Sequence, residues 1–271
     1  MSPSFIRFPW RAVIRMSGRD RARFLHGMCT NDIKKLQPGQ GCRAAVVNRQ
    51  GKMVADLAVL AATDALLLVV ERSNLRPTID ALSRFLVADD VNMEASDLAV
   101  VGVYATPPPP GLPTLADPSL HVEGHLILVP DSGYAFPDLQ EMTEGEYENF
   151  RIENGFPRWG VDMGPDVLPM EAGLDPIAIS YTKGCYIGQE VIQRVKTYSE
   201  PPRMLVQFQI EGARPQEKVT AGADEIGHVT SATTKVALGY VRKEFKAPGT
   251  KVAVGGREAI VRALPWHARL T

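Results

Sequence analysis

A chain of 271 residues, 45% of them apolar, can bury a sizeable core, and this length predicts one or two domains. Thirty basic and thirty-one acidic residues leave a formal charge of −1, so no global basic field attracts nucleic acid and we expect no direct DNA binding. Cys29, Cys42 and Cys185 lie far apart without C-x-x-C spacing, which argues against a zinc site or disulfide framework and favours a reducing, cytoplasmic setting. We expect no metal, because neither the cysteines nor the histidines have ligand spacing. Residues 1–18 lack the unbroken apolar region of a signal peptide, and the most apolar stretch, residues 57–70, is too short for a membrane span, so we expect no membrane segment.

The first half of the chain predicts alternating helices and strands. Ser17 and Asp20 resemble a capping box, and an apolar stripe extends the predicted helix over 18–28. Strands are predicted in AAVVN, MVADLAVLA and ALLLVVE, the first two joined by the turn NRQG. A helix with Ser73 as its cap follows, and then one or two strands in DVNMEASDLAVVGVYA.

The second half begins with the proline-rich segment 106–118, which predicts a surface linker without regular structure. After the strand HLILVP, Thr143 and Glu146 form a capping box for a helix that Gly155 ends. Beyond residue 201, short strands broken by glycine and proline predict a small antiparallel barrel of about 70 residues. We therefore expect two domains, residues 1–200 and 201–271.

The segment TKGCYIGQEVIQR, residues 182–194, concentrates chemically informative residues. Its two glycines predict tight backbone geometry, and Gln189 and Glu190 predict the first turn of a helix that continues to about Lys196. A helix N-terminus and Lys183 would lower the pKa of the Cys185 thiol, which makes it a candidate thiolate or soft ligand. The alternative, a small buried cysteine in a turn, is favoured by the residues alone because no histidine has matching spacing.

Two carboxylates stand out elsewhere. Asp56 interrupts an apolar strand, and two-residue alternation places it opposite Ala55 and Leu57, where it is either a site residue or a satisfied structural acid. Glu153 precedes a Gly-Phe-Pro break, so it lies either at a pocket rim or, as its spacing favours, at a solvated helix end.

Taken together, these segments resemble one family. KGCYIGQE matches the K-G-C-[FY]-x-G-Q-E signature of the YgfZ proteins, which are relatives of the glycine-cleavage T-protein, an aminomethyltransferase. The resemblance extends over nearly the whole chain, through FLHGMCTNDIKKLQPGQ, NRQGKMVADLAV, RIENGFPRWGVD and the barrel motif EIGHVTSAT…ALGYV. It implies an α+β, three-lobed, ring-like T-protein fold, with two interleaved α+β lobes around a central folate cavity and a C-terminal antiparallel β-barrel.

The resemblance also implies site residues. Asp56 matches the strand of the T-protein catalytic aspartate, although Ala55 replaces one of the two adjacent acids usual there. Glu153 matches the glutamate that contacts the pterin ring, and Arg203 approximates an arginine near the folate tail. Lys183, Gln189 and Glu190 of the signature complete the candidate cofactor-binding residues, with tetrahydrofolate or another reduced folate as the cofactor.

The family is linked to iron–sulfur proteins, notably the enzymes that thiomethylate tRNA, and its signature cysteine is treated as functionally important. The resemblance therefore implies a folate-binding accessory protein, partnered by iron–sulfur proteins or cluster-assembly factors, in which Cys185 is functional. Two alternatives stay open. In the first, the chain is an aminomethyltransferase-like enzyme that transfers one-carbon units. In the second, it is an interaction scaffold with an eroded folate cavity.

Overall fold

The computed structural model describes residues 1–130 and 133–270. Within these residues the helices are α1 (Arg21–Met28), α2 (Leu75–Ser83), α3 (Glu144–Glu153), α4 (Asp175–Ala178) and α5 (Gln189–Tyr198). The strands are β1 (Ser4–Arg7), β2 (Arg11–Ser17), β3 (Gly41–Val47), β4 (Met53–Ala61), β5 (Ala65–Glu71), β6 (Asn92–Ser96), β7 (Leu98–Tyr104), β8 (Thr114–Ala116), β9 (Gly124–Pro130), β10 (Gln140–Glu141), β11 (Arg203–Gln209), β12 (Lys218–Ala221), β13 (Asp224–Ala232), β14 (Val236–Arg242), β15 (Lys251–Val254) and β16 (Arg257–Arg262). None of the helices in these two ranges has both the length and the apolar character needed to cross a bilayer.

The chain divides into two compact units that are discontinuous in sequence. The first comprises Met1–Asp117, Val122–Met142 and Asp175–Arg194, and the second comprises Pro118–His121, Thr143–Leu174 and the chain from Val195 onward. The barrel strands therefore share a unit with α3, which precedes them by about fifty residues of sequence. A domain boundary near residue 201 stays a prediction.

The first unit contains two five-stranded sheets. One has the order β3-β4-β5-β2-β6 and is antiparallel throughout. The other has the order β10-β1-β7-β9-β8, with only the β1–β10 pair parallel. Helices α1 and α2 contribute Phe24, Leu25 and Leu82 to a core with the inward residues of β4 and β5, so both helices cover one face of the first sheet. This arrangement leaves the opposite face of β4 for Asp56.

The second unit is built on a closed, antiparallel, six-stranded barrel of order β11-β14-β13-β12-β15-β16, in which β11 also pairs with β16. Gln207 on β11 donates its side-chain amide to the carbonyls of Ile152 and Glu153, at 3.0 and 2.9 Å, which attaches the end of α3 to the barrel. Arg151 on α3 is almost fully buried and pairs with Asp162 at 2.7 Å. Burying an arginine requires such a partner, because an unpaired buried charge is costly.

The helix starts in the first half differ from the prediction. Ser17 is not a cap, because it pairs with Ala65 and Asn92 at the end of β2 and α1 begins at Arg21. Ser73 lies in a 3₁₀ turn, and α2 follows Asn74 without a side-chain cap. The capping box of Thr143 and Glu146 is confirmed at α3.

The strand prediction was incomplete, since β1, β2 and β10 were not predicted and two further omissions are informative. The proline-rich segment 106–118 was expected to contain no regular structure, but β8 forms there because its backbone pairs with β9. The barrel contains β12, which the sequence pattern did not indicate and whose pairing with β13 shifts register between Val219 and Thr220. A short strand with a bulge carries little periodicity for a sequence pattern to reveal.

Candidate functional site

Asp56 lies on β4, on the face opposite the apolar core. Ala55 and Leu57 are fully buried in that core, which confirms the predicted alternation from Ala55 onward. Before it, a register shift against β3 breaks the alternation, and Val54 rather than Met53 packs against the core. The side chain of Asp56 is 9% exposed, and its Oδ2 atom accepts a hydrogen bond of 2.7 Å from Arg43 on the neighbouring strand β3. The arginine offsets the cost of holding this carboxylate in a largely dry position.

The second carboxylate oxygen of Asp56 has unused bonding capacity. Oδ1 is buried and accepts no hydrogen bond from any residue in the ranges 1–130 and 133–270. A buried carboxylate oxygen without a donor is costly, and a binding or catalytic role is one of the explanations for such an exception. Oδ1 of Asp56 therefore has capacity for one more donor, while the hydrogen bond from Arg43 orients the carboxylate.

Lys183 anchors the signature loop, residues 183–188, to the end of α1. Its ammonium group is buried and donates to the carbonyl oxygens of His26 and Cys29, at 2.5 and 2.6 Å. The same group lies 4.8 Å from the ring centroid of Tyr186. Burial lowers the pKa of Lys183, and its two carbonyl bonds satisfy acceptors that a helix C-terminus leaves open. These contacts give Lys183 a structural role within the loop.

The two signature glycines differ in what they require. Gly188 has φ of +81°, and a Cβ atom there would lie 2.3 Å from the carbonyl oxygen of Asn48. Only glycine fits this position without a backbone shift. Gly184 has no such requirement, because its nearest contact would be an ordinary 3.6 Å to Nε2 of His26. The predicted tight geometry therefore applies to Gly188, which packs the loop onto the turn NRQG.

Cys185 is exposed, whereas the other two cysteines are shielded. Burial raises the pKa of the Cys29 thiol to about 11 and that of the Cys42 thiol to about 12, so both are protonated and inert at neutral pH. Cys185 precedes α5 by four residues, in a loop fixed at Lys183 and Gly188. The loop thus presents one accessible thiol from a well-anchored backbone.

Gln189 and Glu190 begin α5, as predicted from the sequence. The side-chain oxygen of Gln189 accepts a 3.3 Å hydrogen bond from the backbone N–H of Tyr186, which closes the turn before the helix. Glu190 is exposed and pairs with Arg194 one helical turn later, at 3.2 Å. Both contacts are local to the start of the helix.

His26 and Asp32 adjoin the signature loop, which no sequence pattern had indicated. Nδ1 of His26 lies 3.3 Å from Oδ1 of Asp32, and Nε2 faces Gly184. Burial and the positive charge of Lys183 lower the pKa of His26, so the ring is neutral at pH 7. No short-range spacing could have shown that these two residues lie beside the loop, because the loop follows His26 by more than 150 residues.

The two candidate residues of the second unit, Glu153 and Arg203, differ in whether their charged groups already have partners. Glu153 is the last residue of α3 and is exposed, and its carboxylate contacts no donor in the described part of the chain. Arg203 on β11 donates to the Glu171 carboxylate at 3.3 Å and to the Asp166 carbonyl at 2.9 Å. Its guanidinium carbon also lies 5.0 Å from the ring centroid of Tyr240, so existing contacts hold the side chain.

These placements separate the candidate residues by their capacity to bind a folate. A pterin ring offers N–H donors. Considered separately, Asp56 in the first unit and Glu153 in the second each have a carboxylate oxygen without a donor among the described residues. Lys183, Gln189 and Arg203 are engaged in structural contacts. Within the described residues, no group of three or more His, Cys, Asp or Glu side chains is arranged to hold a metal ion.

Comparisons with known proteins agree with this fold. Residues 203–267 match the family model of the glycine cleavage T-protein C-terminal barrel domain. The mitochondrial iron-sulfur cluster assembly factor IBA57 of Mus musculus is 29% identical, and the alignment covers 89% of this chain and 74% of that protein. An aminomethyltransferase of Bacillus velezensis is 26% identical, with 92% of this chain and 81% of that protein covered.

The crystal structure of the glycine cleavage system aminomethyltransferase T from Bartonella henselae is similar to this structure. The two match with a TM-score of 0.85 over 97% of this chain and 86% of that chain, at 18% sequence identity. The predicted α+β T-protein fold with its C-terminal antiparallel barrel is thereby confirmed. The protein has the aminomethyltransferase fold and is similar in sequence to proteins of the glycine-cleavage T-protein superfamily.

Proposed function

We propose that this protein binds tetrahydrofolate or another reduced folate and supports the assembly or repair of iron–sulfur enzymes, including those that thiomethylate tRNA, in the cytoplasm. The observation that carries the proposal is the accessible thiol of Cys185, presented by a loop that Lys183 and Gly188 fix in place. Similarity to a protein named as an iron-sulfur cluster assembly factor supports the choice of partner. The YgfZ-type signature KGCYIGQE supports the same assignment.

The folate part of the proposal depends on Asp56. A pterin is flat, and binding it takes apolar surroundings with a few well-placed polar groups. The buried, unsatisfied Oδ1 of Asp56 supplies one such group, and a pterin N–H would complete its hydrogen bonding. Glu153 is proposed as a second acceptor because it matches the family position and its carboxylate is free. Arg203 stays a weaker candidate for the folate tail, since ligand binding would compete with Glu171.

A second candidate function is folate-dependent one-carbon transfer. It is favoured by the same buried carboxylate, because a carboxylate that Arg43 holds in place beside a folate would act as a base or stabilise developing positive charge. It is disfavoured by Ala55, which points into the core where the T-proteins usually have an adjacent acid on this strand. The accessory role therefore accounts for more of the site than turnover does.

Complementation of a strain lacking this protein separates the functions. Cys185→Ala is expected to abolish the activity of a tRNA-thiomethylating iron–sulfur enzyme, whereas the matched variant Cys42→Ala retains it because Cys42 is largely buried. Both variants should bind tetrahydrofolate normally, and Asp56→Asn should bind it at least about tenfold more weakly. Full activity in the Cys185→Ala strain would reject the role of the thiol.

A purified-protein assay tests the second function. Turnover of tetrahydrofolate with an aminomethyl or methylene donor, lost in Asp56→Asn, would establish a transferase and displace the accessory role as the primary one. Folate binding without any turnover is the result expected of the accessory protein. If the protein did not bind tetrahydrofolate but complementation still depended on Cys185, the remaining hypothesis would be an interaction scaffold with an eroded folate cavity.

A further inference from the structure

A pocket of about 250 Å³ lies beside the signature loop in the first unit. Its lining comes from the end of β3 with the turn NRQG, from the C-terminal end of α2 and the residues after it, and from Ile187 of the signature loop, with Met28 of α1 and Val54 of β4 completing it. Ile187 is two residues after Cys185, and its backbone N–H is bonded to Gly27 at 3.3 Å. The pocket is therefore built from the same anchored segments that position the accessible thiol.

The floor and walls of this pocket are mostly apolar. They include Met28, Val54, Leu82 and Ile187, and the ring of Phe85 borders the opening with 44% of its surface exposed. Val87, which follows two residues later, is 93% exposed. Large exposed apolar side chains next to a pocket indicate an interaction surface more often than isolated ones do.

Two arginines flank the apolar floor. Arg49 and Arg84 line the pocket and are exposed. Neither guanidinium makes a hydrogen bond or ion pair with a residue of the described ranges, whereas Arg19, Arg23 and Arg43 of the same unit are each paired with an aspartate. Their positive charges are thus available to an external anionic group, for which arginine is the preferred partner.

The volume restricts what the pocket can hold. Sites for whole small-molecule ligands typically measure about 300–1,000 Å³, so a pocket of about 250 Å³ suits one large apolar side chain better than an intact cofactor. An apolar anchor in the pocket with carboxylates against the rim is a common arrangement for a bound peptide segment. The charge of the rim selects an acidic segment.

We propose that this surface, formed by the pocket of residues 46–50, 81–82, 84–85 and Ile187, docks an acidic segment of a partner protein that inserts one large apolar side chain. Docking there brings the partner next to Cys185. The docking surface would thereby select which proteins reach the thiol. The identification of the partner as an iron–sulfur protein rests on the proposed function. The binding of an acidic peptide does not depend on that function.

Fluorescence anisotropy with a labelled peptide tests the proposal. The probe is fluorescein-DEFLDE, and the control peptides are DESSDE, which lacks the apolar anchor, and KKFLKK, which reverses the charge. Saturable binding of DEFLDE alone is expected, weakened by roughly tenfold or more in the Arg49→Glu/Arg84→Glu variant. The matched variant Arg214→Glu/Arg242→Glu, on the barrel, should bind the probe normally.

A second variant tests the pocket itself. Ala81→Phe fills the pocket while keeping both arginines, and circular dichroism with a thermal scan establishes that it folds. The Ala81→Phe variant should also lose binding of the DEFLDE probe. The proposal would be overturned if DEFLDE did not bind the parent protein, or if both pocket variants bound it as tightly as the parent protein does. Dimerisation seen by light scattering and lost in these variants would also overturn it, because the occupant would then be a second copy.

Tetrahydrofolate titration of the same variants keeps the two proposals separate. The docking surface and Asp56 are different features of the first unit, so Arg49→Glu/Arg84→Glu should bind folate like the parent protein. Loss of peptide binding with intact folate binding supports the docking surface independently of the folate site. Loss of both would attribute the effect to misfolding and overturn the assignment of the two arginines to peptide binding.

Discussion

Replacing Gly188 with alanine tests the structural account of the signature loop. Gly188 has φ of +81°, which costs an L-residue about 1–2 kcal/mol. The new Cβ would also lie 2.3 Å from the carbonyl oxygen of Asn48 and 2.9 Å from Cγ2 of Val47. Relieving such overpacking against backbone typically costs a further 1–3 kcal/mol or so.

The two contributions together destabilise the protein by about 2–5 kcal/mol. For a chain of this size each kcal/mol lowers the melting temperature by about 2–4 °C, so we expect a decrease of about 4–20 °C. Far-UV circular dichroism and tryptophan fluorescence should be followed in parallel, because two compact units need not unfold in one transition.

Gly184→Ala is the matched control in the same motif. Its Cβ would meet only an ordinary 3.6 Å contact with His26, so the melting temperature should change by less than about 2 °C. The reasoning is refuted if Gly188→Ala is as stable as the parent protein. It is also refuted if the two alanine variants are equally destabilised.

Three further predictions concern the surroundings of this loop. Lys183→Met should lower the free energy of unfolding by about 1–3 kcal/mol in a urea titration, because two buried carbonyls lose their donor; an unchanged value contradicts this. The pKa of His26 is lower in the folded state, so its contribution to stability is complete above the unfolded value of about 6.5 and is lost as pH falls below it. His26→Gln should therefore reduce the decrease in melting temperature between pH 7 and pH 5. An unchanged decrease would exclude His26 as its cause. Iodoacetamide should label Cys185 in the native protein and leave Cys29 and Cys42 unmodified until unfolding, as peptide mass mapping would show; equal labelling of all three contradicts their burial.

Local patterns predicted the parts of the fold in which neighbouring residues decide the structure. Two-residue alternation placed Asp56 opposite the core, because a strand embedded in a sheet exposes alternate residues to alternate faces. The capping box of Thr143 and Glu146 formed because both of its hydrogen bonds lie within one helical turn. The T-protein fold itself followed from the resemblance rather than from periodicity.

Distant pairing decided the features that local patterns missed. Ser17 has the chemistry of a cap, but hydrogen bonding to β5 and β6 extends β2 through it. The contact between Lys183 and the end of α1 joins segments 154 or more residues apart, so no spacing rule could detect it. The family resemblance implied Lys183 as a cofactor-binding residue, which stays a prediction, and the structure places its ammonium on two backbone carbonyls.

The most direct test of the proposed function is a calorimetric titration with tetrahydrofolate under anaerobic, reducing conditions, performed on the parent protein and on Asp56→Asn. Asparagine preserves the size of the side chain while replacing an acceptor-only carboxylate. The account predicts saturable binding to the parent protein and at least about tenfold weaker binding to the variant. No heat of binding at millimolar folate, or equal affinity for both proteins, would contradict the assignment of Asp56 to a folate site.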